Sequence, residues 1–434
     1  MNLYFFNKVI KYFDFNSKFN KNILVLIIGT VIGSSITLLL TPVLTRLYTP
    51  EEFGNFAFYY SLFVIMSVIV TARYDLAIIL PKIRSNAFQV VSLSFIMTLF
   101  ISVLILLSIL IFEDFLFNFL EKYYISNWIY FLPLSVFLNG IFRTAYQWFT
   151  REKLFRLIAK LLVLQSFSMI IFQIILSFVN KLHFIGLILG QIIGQIFIFI
   201  YCLYKFFKDT YKSYRPKSLR QIGLAKKYIN FPKFVLIAHT INAISAYIPN
   251  ILFSIFFSTT IAGFYLIADR VISAFNSIIG NAVTDVFKQQ ASEAYKKRGE
   301  CYIEYKNVLK KLIIISIIPY GLLFLFLPNI FEFIFGDTWG EAGIYAQILT
   351  PMFIVKFVTG PLSVMFVVAE KQRLDLFWQI SLFLVILVSI YLGFIIGKFQ
   401  LTLILFSASC TLMYLINGLM TFHFSKGNLN KLSG

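Results

Sequence analysis

Acidic residues are the scarcest class that carries charge: 19 Asp and Glu stand against 38 Lys and Arg, and charged residues together make up 13% of the chain. That poverty of charge excludes a disordered chain. With 59% hydrophobic residues it also excludes a soluble multidomain protein. Cysteine is nearly absent, and Cys202, Cys301 and Cys410 are too scattered for a disulfide framework or metal-ligand spacing. His183, His239 and His423 are equally isolated. No GxxxxGK[ST] is found, so no ATP-driven pump is encoded here, and no GxSxG nucleophile elbow. Enzyme chemistry is therefore not expected, and the chain calls for no cofactor and no metal.

What remains is apolar sequence in long runs, with 18% aromatic residues. Segments long enough to span a hydrocarbon core of about 30 Å recur along the whole length, which makes this a polytopic membrane protein. The formal charge of +19 does not imply nucleic acid, because the basic residues sit in short stretches between apolar segments. Residues 1–21 are aromatic and basic, and no small-residue cleavage site follows the apolar run from Ile23, so no cleaved signal is expected.

Twelve spans are expected, at 22–45, 55–80, 86–112, 127–150, 157–179, 184–206, 231–257, 261–287, 308–335, 343–369, 376–397 and 400–424. The last turns of the second, Tyr74 to Leu80, are expected at the interface. Basic and non-basic loops alternate, which by the positive-inside rule places both termini in the cytoplasm. The most basic stretch, Lys205 to Lys233, has nine basic residues and only Asp209. It divides the chain into a cytoplasmic N-terminal segment (1–21), a six-helix bundle (22–206), a basic linker (207–230), a second six-helix bundle (231–424) and a tail (425–434).

The two halves carry an internal repeat. Pro42 and Pro249 lie in the first span of each, and Gly54 and Gly263 open the next helix. YTPEEFGNFAFYY matches FSTTIAGFYLIAD around these glycines, and Pro133 matches Pro351 in the fourth spans. Gly186, Gly190 and Gly194 form a double GxxxG, a spacing repeated at Gly29–Gly33 and Gly393–Gly397. Close helix packing is one reading and a hinge the other. Prolines inside spans (Pro42, Pro133, Pro249, Pro319, Pro351) are expected to kink helices, either as fixed bends or as flexible ones.

One stretch, Ile261 to Lys297, concentrates the polar chemistry. Arg270, Ser273, Ser277, Asn281, Thr284 and Lys288 fall on one helical stripe, with Asp269, Asn276 and Gly280 on its flank. Arg270 lies outward of the membrane centre, Lys356 near mid-depth, Arg143 in the inner third of its span and Arg73 near the inner end of its own. A charge at such depth faces protein or a polar passage. Asp269 and Asp75 are the acidic neighbours in sequence. Either each cation pairs or snorkels, or it lines a passage. His239, Asn242 and Asn250 share one face of the seventh span, and His239 is a packing donor or a proton relay.

GTVIGSSITLLLTPVLTRLYTPEEFGNFAFYYSLFVIMSVIVTARYDLAIILPK, GFYLIADRVISAFNSIIGNAVTDVFKQQASEAYKKRG and FGDTWGEAGIYAQILTPMF resemble the bacterial polysaccharide biosynthesis flippases of the multidrug/oligosaccharidyl-lipid/polysaccharide exporter superfamily. Gly336, Trp339, Ala342, Gly343 and Tyr345 carry the loop motif. Phe275 departs from the pattern, since relatives often have proline there. The resemblance implies an all-α integral membrane fold, twelve transmembrane helices in two six-helix bundles around a central cavity, and alternating access. It implies a multi-pass protein of the inner (plasma) membrane that carries undecaprenyl-diphosphate-linked oligosaccharide to the outer leaflet for O-antigen, lipopolysaccharide or capsule synthesis. Its partners would be that lipid-linked cargo, membrane lipids, a polysaccharide polymerase and glycosyltransferases, with the chain itself a monomer. Arg270, Lys356, Arg143 and Arg73 are then the expected diphosphate or acidic-sugar contacts, and His239, Asn242, Asn276 and Asn281 the polar lining. Asp269 is either a counter-charge or the coupling group. Two rival readings stand beside this one: a cation-coupled drug or metabolite antiporter of the same superfamily, and a membrane assembly partner that transports nothing.

Overall fold

The computed structural model describes residues 18–114, 126–179, 182–206 and 217–427, and every regular element among them is helical. The long helices are α1 (Lys18–Leu47), α2 (Pro50–Ile69), α3 (Arg84–Ile111), α4 (Leu132–Arg151), α5 (Phe155–Ser177), α6 (Gly186–Phe206), α7 (Leu236–Phe256), α8 (Thr259–Arg298), α9 (Tyr302–Phe335), α10 (Gly340–Thr359), α11 (Gln372–Ile396) and α12 (Phe399–Ser425). Among the described residues nine helices are long and apolar enough to cross a membrane, or ten when α9, bent by 52° between Tyr302–Gly321 and Phe324–Phe335, is taken as one span. The two long helices outside that set, α4 and α8, have apolar runs broken by polar side chains: Asn139, Arg143 and Gln147 in one, Asp269, Arg270 and Asn276 in the other. This is a multi-pass, all-helical membrane protein.

The chain forms two compact units, Met1–Leu44 with Leu62–Thr240, and Thr45–Ser61 with Ile241–Gly434. The boundary passes within α2 and within α7. In the first unit, α5 and α6 pack closely because glycine removes side-chain bulk. A Cβ on Gly190 would lie 2.5 Å from Gln173 Cγ, and one on Gly194 2.8 Å from Met169 Cα. The GxxxG spacing here serves packing. Around it, Phe88 stacks on Phe206 (6.0 Å between centroids) and Trp148 meets the same ring edge-on at 6.3 Å.

Two expectations are corrected by the first unit. The second span is not continuous to Leu80: α2 ends at Ile69, and Ala72 and Arg73 both take positive φ (46° and 60°) before a short helix, Tyr74–Ala77. In and just after that helix Tyr74, Asp75, Ala77 and Ile78 are buried against protein, while Ile79 and Leu80 are exposed. The Asp75 carboxylate finds its partners in Thr71, just before the break, and Arg143 of α4. Pro133 makes no kink, because it sits in the first turn of α4, where its missing N–H costs nothing. Of the expected linker, residues 207–216 lie outside the described residues, and Ser218–Lys227 forms a helix docked on α3. Most of the expected N-terminal segment and tail (1–17 and 428–434) also lies outside them.

In the second unit the repeat has a physical counterpart. A Cβ on Gly54 would overlap the carbonyl of Thr259, the first residue of α8, and one on Gly263 would overlap the carbonyl of Pro50, the first residue of α2. Trp339 packs beside this crossing. It is fully buried, donates its indole N–H to the Thr45 carbonyl (2.9 Å), and meets Phe53 and Phe264 edge-on at 5.2 and 5.7 Å. Each edge-to-face pair contributes about 0.5–1.5 kcal/mol beyond its area. The loop motif around Gly336 and Trp339 is therefore architectural.

Candidate functional site

Among the described residues, each unit holds a group of charged side chains deep among its helices. In the second unit, Asp269 and Arg270 lie about three turns into α8. Lys356, on α10, sits over the ring of Phe353 (5.4 Å) and over that of Tyr414 from α12 (5.7 Å), and also hydrogen-bonds Tyr414. Asp269 feels the charges of Lys356 and Arg270. Arg270 faces Tyr60 of α2 and Tyr247 of α7, whose rings meet edge-on at 6.0 Å. Two cations thus share one carboxylate, and the remaining surroundings are tyrosines, whose apolar bodies and polar tips suit a half-wet site. Asn276, nearly two turns further along α8, is engaged by protein: it accepts from Tyr320 Oη and donates to the Phe353 carbonyl at 3.5 Å. It ties α8 to α9 and α10. The side chain of Asn281 lies outside the described residues.

The first unit has the same balance, built on the break after α2. Thr71 Oγ1 donates to Asp75 Oδ1 (2.7 Å), and Arg143 Nε lies 3.9 Å from Asp75 Oδ2. Arg143 also donates to the Ser67 carbonyl at 2.7 Å. Its side chain remains 29% exposed, against 2% for Asp75, so the carboxylate is enclosed and the guanidinium reaches outward. Arg73 is 5% exposed, and its buried Nε has no hydrogen-bond partner. Positive φ at a residue with a side chain costs of order 1–3 kcal/mol and persists only where the surroundings enforce it. Two such residues in succession mark a strained joint, with Arg73 on it. His239, on α7, feels Arg73, Arg143 and Asp75, which places it with this group. Asn242 is exposed, whereas Asn250 is buried, so the shared face expected for the seventh span passes from one environment to another.

Asp75 is thus a full member of the site rather than only a neighbour in sequence. The tyrosines Tyr60, Tyr247 and Tyr414 are further members that charge reading missed. Their signal is a phenol in an apolar span, which needs a partner. Arg151 belongs elsewhere: it donates to the Ile78 and Ile79 carbonyls (3.3 and 2.9 Å) and holds the end of the break.

A family model described as "Polysaccharide biosynthesis protein" matches residues 43–343, which include both charge groups apart from Lys356 and Tyr414. The chain belongs to the polysaccharide biosynthesis protein family. No curated protein sequence matches it. Solved structures place the fold of this family member among transporters of the MOP superfamily. It is similar to an inward-facing structure of a multidrug resistance MATE family transporter of that superfamily, with TM-score 0.73 and 14% identity over 94% of this chain and 96% of the other. An outward-facing structure of such a transporter gives TM-score 0.55 and 15% identity over 93% and 94%. A MOP superfamily transporter from Pyrococcus furiosus, described as having a binding pocket of reverse polarity that suggests a different function, gives 0.60 and 14% over 93% and 96%. At such identities the likeness concerns the fold. This polysaccharide biosynthesis protein has the architecture of those transporters.

Proposed function

We propose that the chain is a flippase that carries undecaprenyl-diphosphate-linked oligosaccharide repeat units from the cytoplasmic to the outer leaflet of the inner membrane, by alternating access, for O-antigen or capsule synthesis. Both termini are cytoplasmic in this reading. The observation that carries it is the charge balance: Arg270 and Lys356 against Asp269, and Arg73 and Arg143 against Asp75. Each group keeps one cation in excess. An unmatched charge among apolar helices costs at least a few kcal/mol, so the excess suits a protein whose anion arrives from outside. A diphosphate is such an anion, and guanidinium groups bind phosphate oxygens in bidentate fashion.

Arg270 is the primary contact, because tyrosines rather than a dedicated carboxylate face it. Lys356 is held by Tyr414 and sets the local field. Tyr60 and Tyr247 offer ring faces and hydroxyls to sugars. Arg143 and Arg73 receive the headgroup at the cytoplasmic side, with His239 beside them. Asp269 is the coupling group, since protonating it leaves both cations of its set without their carboxylate. The prenyl chain stays in lipid. The antiporter alternative needs carboxylates in excess of cations, the reverse of this balance, and the family described for biosynthesis of polysaccharide also supports export of its precursor.

The test is surface polysaccharide in a strain that depends on this chain. Arg270→Ala and Lys356→Ala, each at native protein level, are expected to reduce surface polymer and leave lipid-linked precursor inside. Normal polymer from both variants would sink the reading.

A further inference from the structure

The helix Ser218–Lys227 has one docked face and one bare face. On the docked face the Lys217 N–H donates to Gln89 Oε1 (2.8 Å), Gln221 Nε2 donates to Ser92 Oγ (2.9 Å), and the Ala225 carbonyl accepts from Tyr74 Oη (3.2 Å). Gln221 and Leu224 are buried there. On the bare face Leu219 is 86% exposed and Ile222 55% exposed, at helical spacing, with Lys226 beside them. Exposed Arg220 and Lys227 flank this pair.

The docking partners set the height of the helix. Gln89 and Ser92 lie about 8–12 Å along α3 from its start at Arg84, and α3 is a membrane-crossing helix. The short helix therefore lies against the end of the span, where headgroups meet acyl chains, and not out in solution. Exposed Ile229 and Phe234 continue the bare apolar surface toward α7. Among the described residues of this stretch, Lys205, Lys217, Arg220, Lys226, Lys227 and Lys233 are basic and none is acidic, which gives the surroundings one sign. Apolar residues between basic ones at this depth suit an anionic lipid surface: the apolar pair enters the acyl boundary and the cations meet phosphates.

We propose that Ser218–Lys227 is an interfacial anchor for anionic phospholipid headgroups, with Leu219 and Ile222 inserted and Arg220, Lys226 and Lys227 on the phosphates. The anchor is linked to function through Tyr74, which directly follows the strained pair Ala72 and Arg73 and precedes Asp75. A lipid that moves the anchor moves the segment carrying those charges. The lipid contact itself stands whether or not the cargo assignment does.

A spin label on Leu219→Cys in the full chain, in nanodiscs, tests this; the three native thiols are buried. A label on Lys297→Cys, at an exposed position near the end of α8, serves as the aqueous reference. The expected result is that the label at 219 is shielded from a water-soluble nickel chelate relative to the reference, and more so with phosphatidylglycerol than with phosphatidylcholine alone. The triple variant Arg220→Gln, Lys226→Gln, Lys227→Gln loses the difference between the two lipids. Should that variant not accumulate, the two-lipid comparison on Leu219→Cys alone decides. A label as accessible as the reference in both lipids, or one shielded equally in both, overturns the proposal.

Discussion

Gly54 and Gly263 meet the opposite helix reciprocally: each lies against the carbonyl of the residue that starts the other's helix, Thr259 for Gly54 and Pro50 for Gly263. Both glycines occupy the fifth position of their helix, so the internal repeat of the sequence becomes a local two-fold crossing. Any Cβ here strikes backbone, which cannot rotate away. Gly54→Ala and Gly263→Ala are each expected to destabilise by about 1–3 kcal/mol or more. Gly223→Ala, where a Cβ meets nothing within 4 Å, should be neutral or slightly stabilising. Thermal unfolding of the purified protein in detergent distinguishes these outcomes.

Trp339 should be needed for the same crossing through both ring and N–H. Trp339→Phe keeps an aromatic ring and loses the bond to the Thr45 carbonyl, at about 0.5–1.5 kcal/mol. Trp339→Ala also removes the packing on Phe53 and Phe264, at about 3–5 kcal/mol. The ordering of the two in a thermal melt checks the assignment; equal losses would mean that the ring contributes nothing.

The pair formed by Arg143 and Asp75 should be asymmetric to truncation. Asp75→Ala leaves Arg143 and Arg73 without a carboxylate, and Arg143→Ala leaves an enclosed carboxylate with Arg73 and Thr71. Arg143→Ala strands the enclosed carboxylate, at about 3–5 kcal/mol, whereas the outward-reaching Arg143 keeps access to water when Asp75 is removed. The double variant should cost less than the sum of the singles, by about 0.5–3 kcal/mol. A double-mutant cycle measured by unfolding gives the coupling directly, and a value of zero would dissolve the pair.

Cys301 lies just before α9, buried against Met365 with the sulfurs 3.4 Å apart. Burial pushes its thiol up to about 12, above the value of about 8.5 for a free thiol. A group whose folded value is raised adds stability below the unfolded value and loses it as pH climbs through the folded one. A chain retaining Cys301 alone should resist N-ethylmaleimide between about pH 7 and 9, and label fully once denatured. Rapid labelling of the folded chain would contradict the packing.

Much of this was legible in the sequence, for physical reasons. Apolar runs of membrane length located the helices, because a polar backbone in lipid has few alternatives. The repeat glycines were visible because no other residue fits their crossing. The break after α2 was not legible: Ala72 and Arg73 are not turn formers, and nothing local announces positive φ there. The break sets Asp75 beside Thr71 and Arg143. Asn276 read as lining because its partners, Tyr320 and Phe353, lie 44 and 77 residues away. The basic stretch read as a linker because its docked face is short and includes Gln221, a polar residue that only its bond to Ser92 explains.

The central claim is that Arg270 takes the anionic headgroup. The direct measurement is the initial rate of flipping of a prenyl-diphosphate-linked sugar in proteoliposomes, for wild type, Arg270→Gln and Arg270→Lys. Loss of a charged contact worth roughly 1.5–3 kcal/mol predicts a fall of about tenfold or more for Arg270→Gln, with partial recovery in Arg270→Lys. Wild-type rates in Arg270→Gln, at equal protein incorporation, would contradict it.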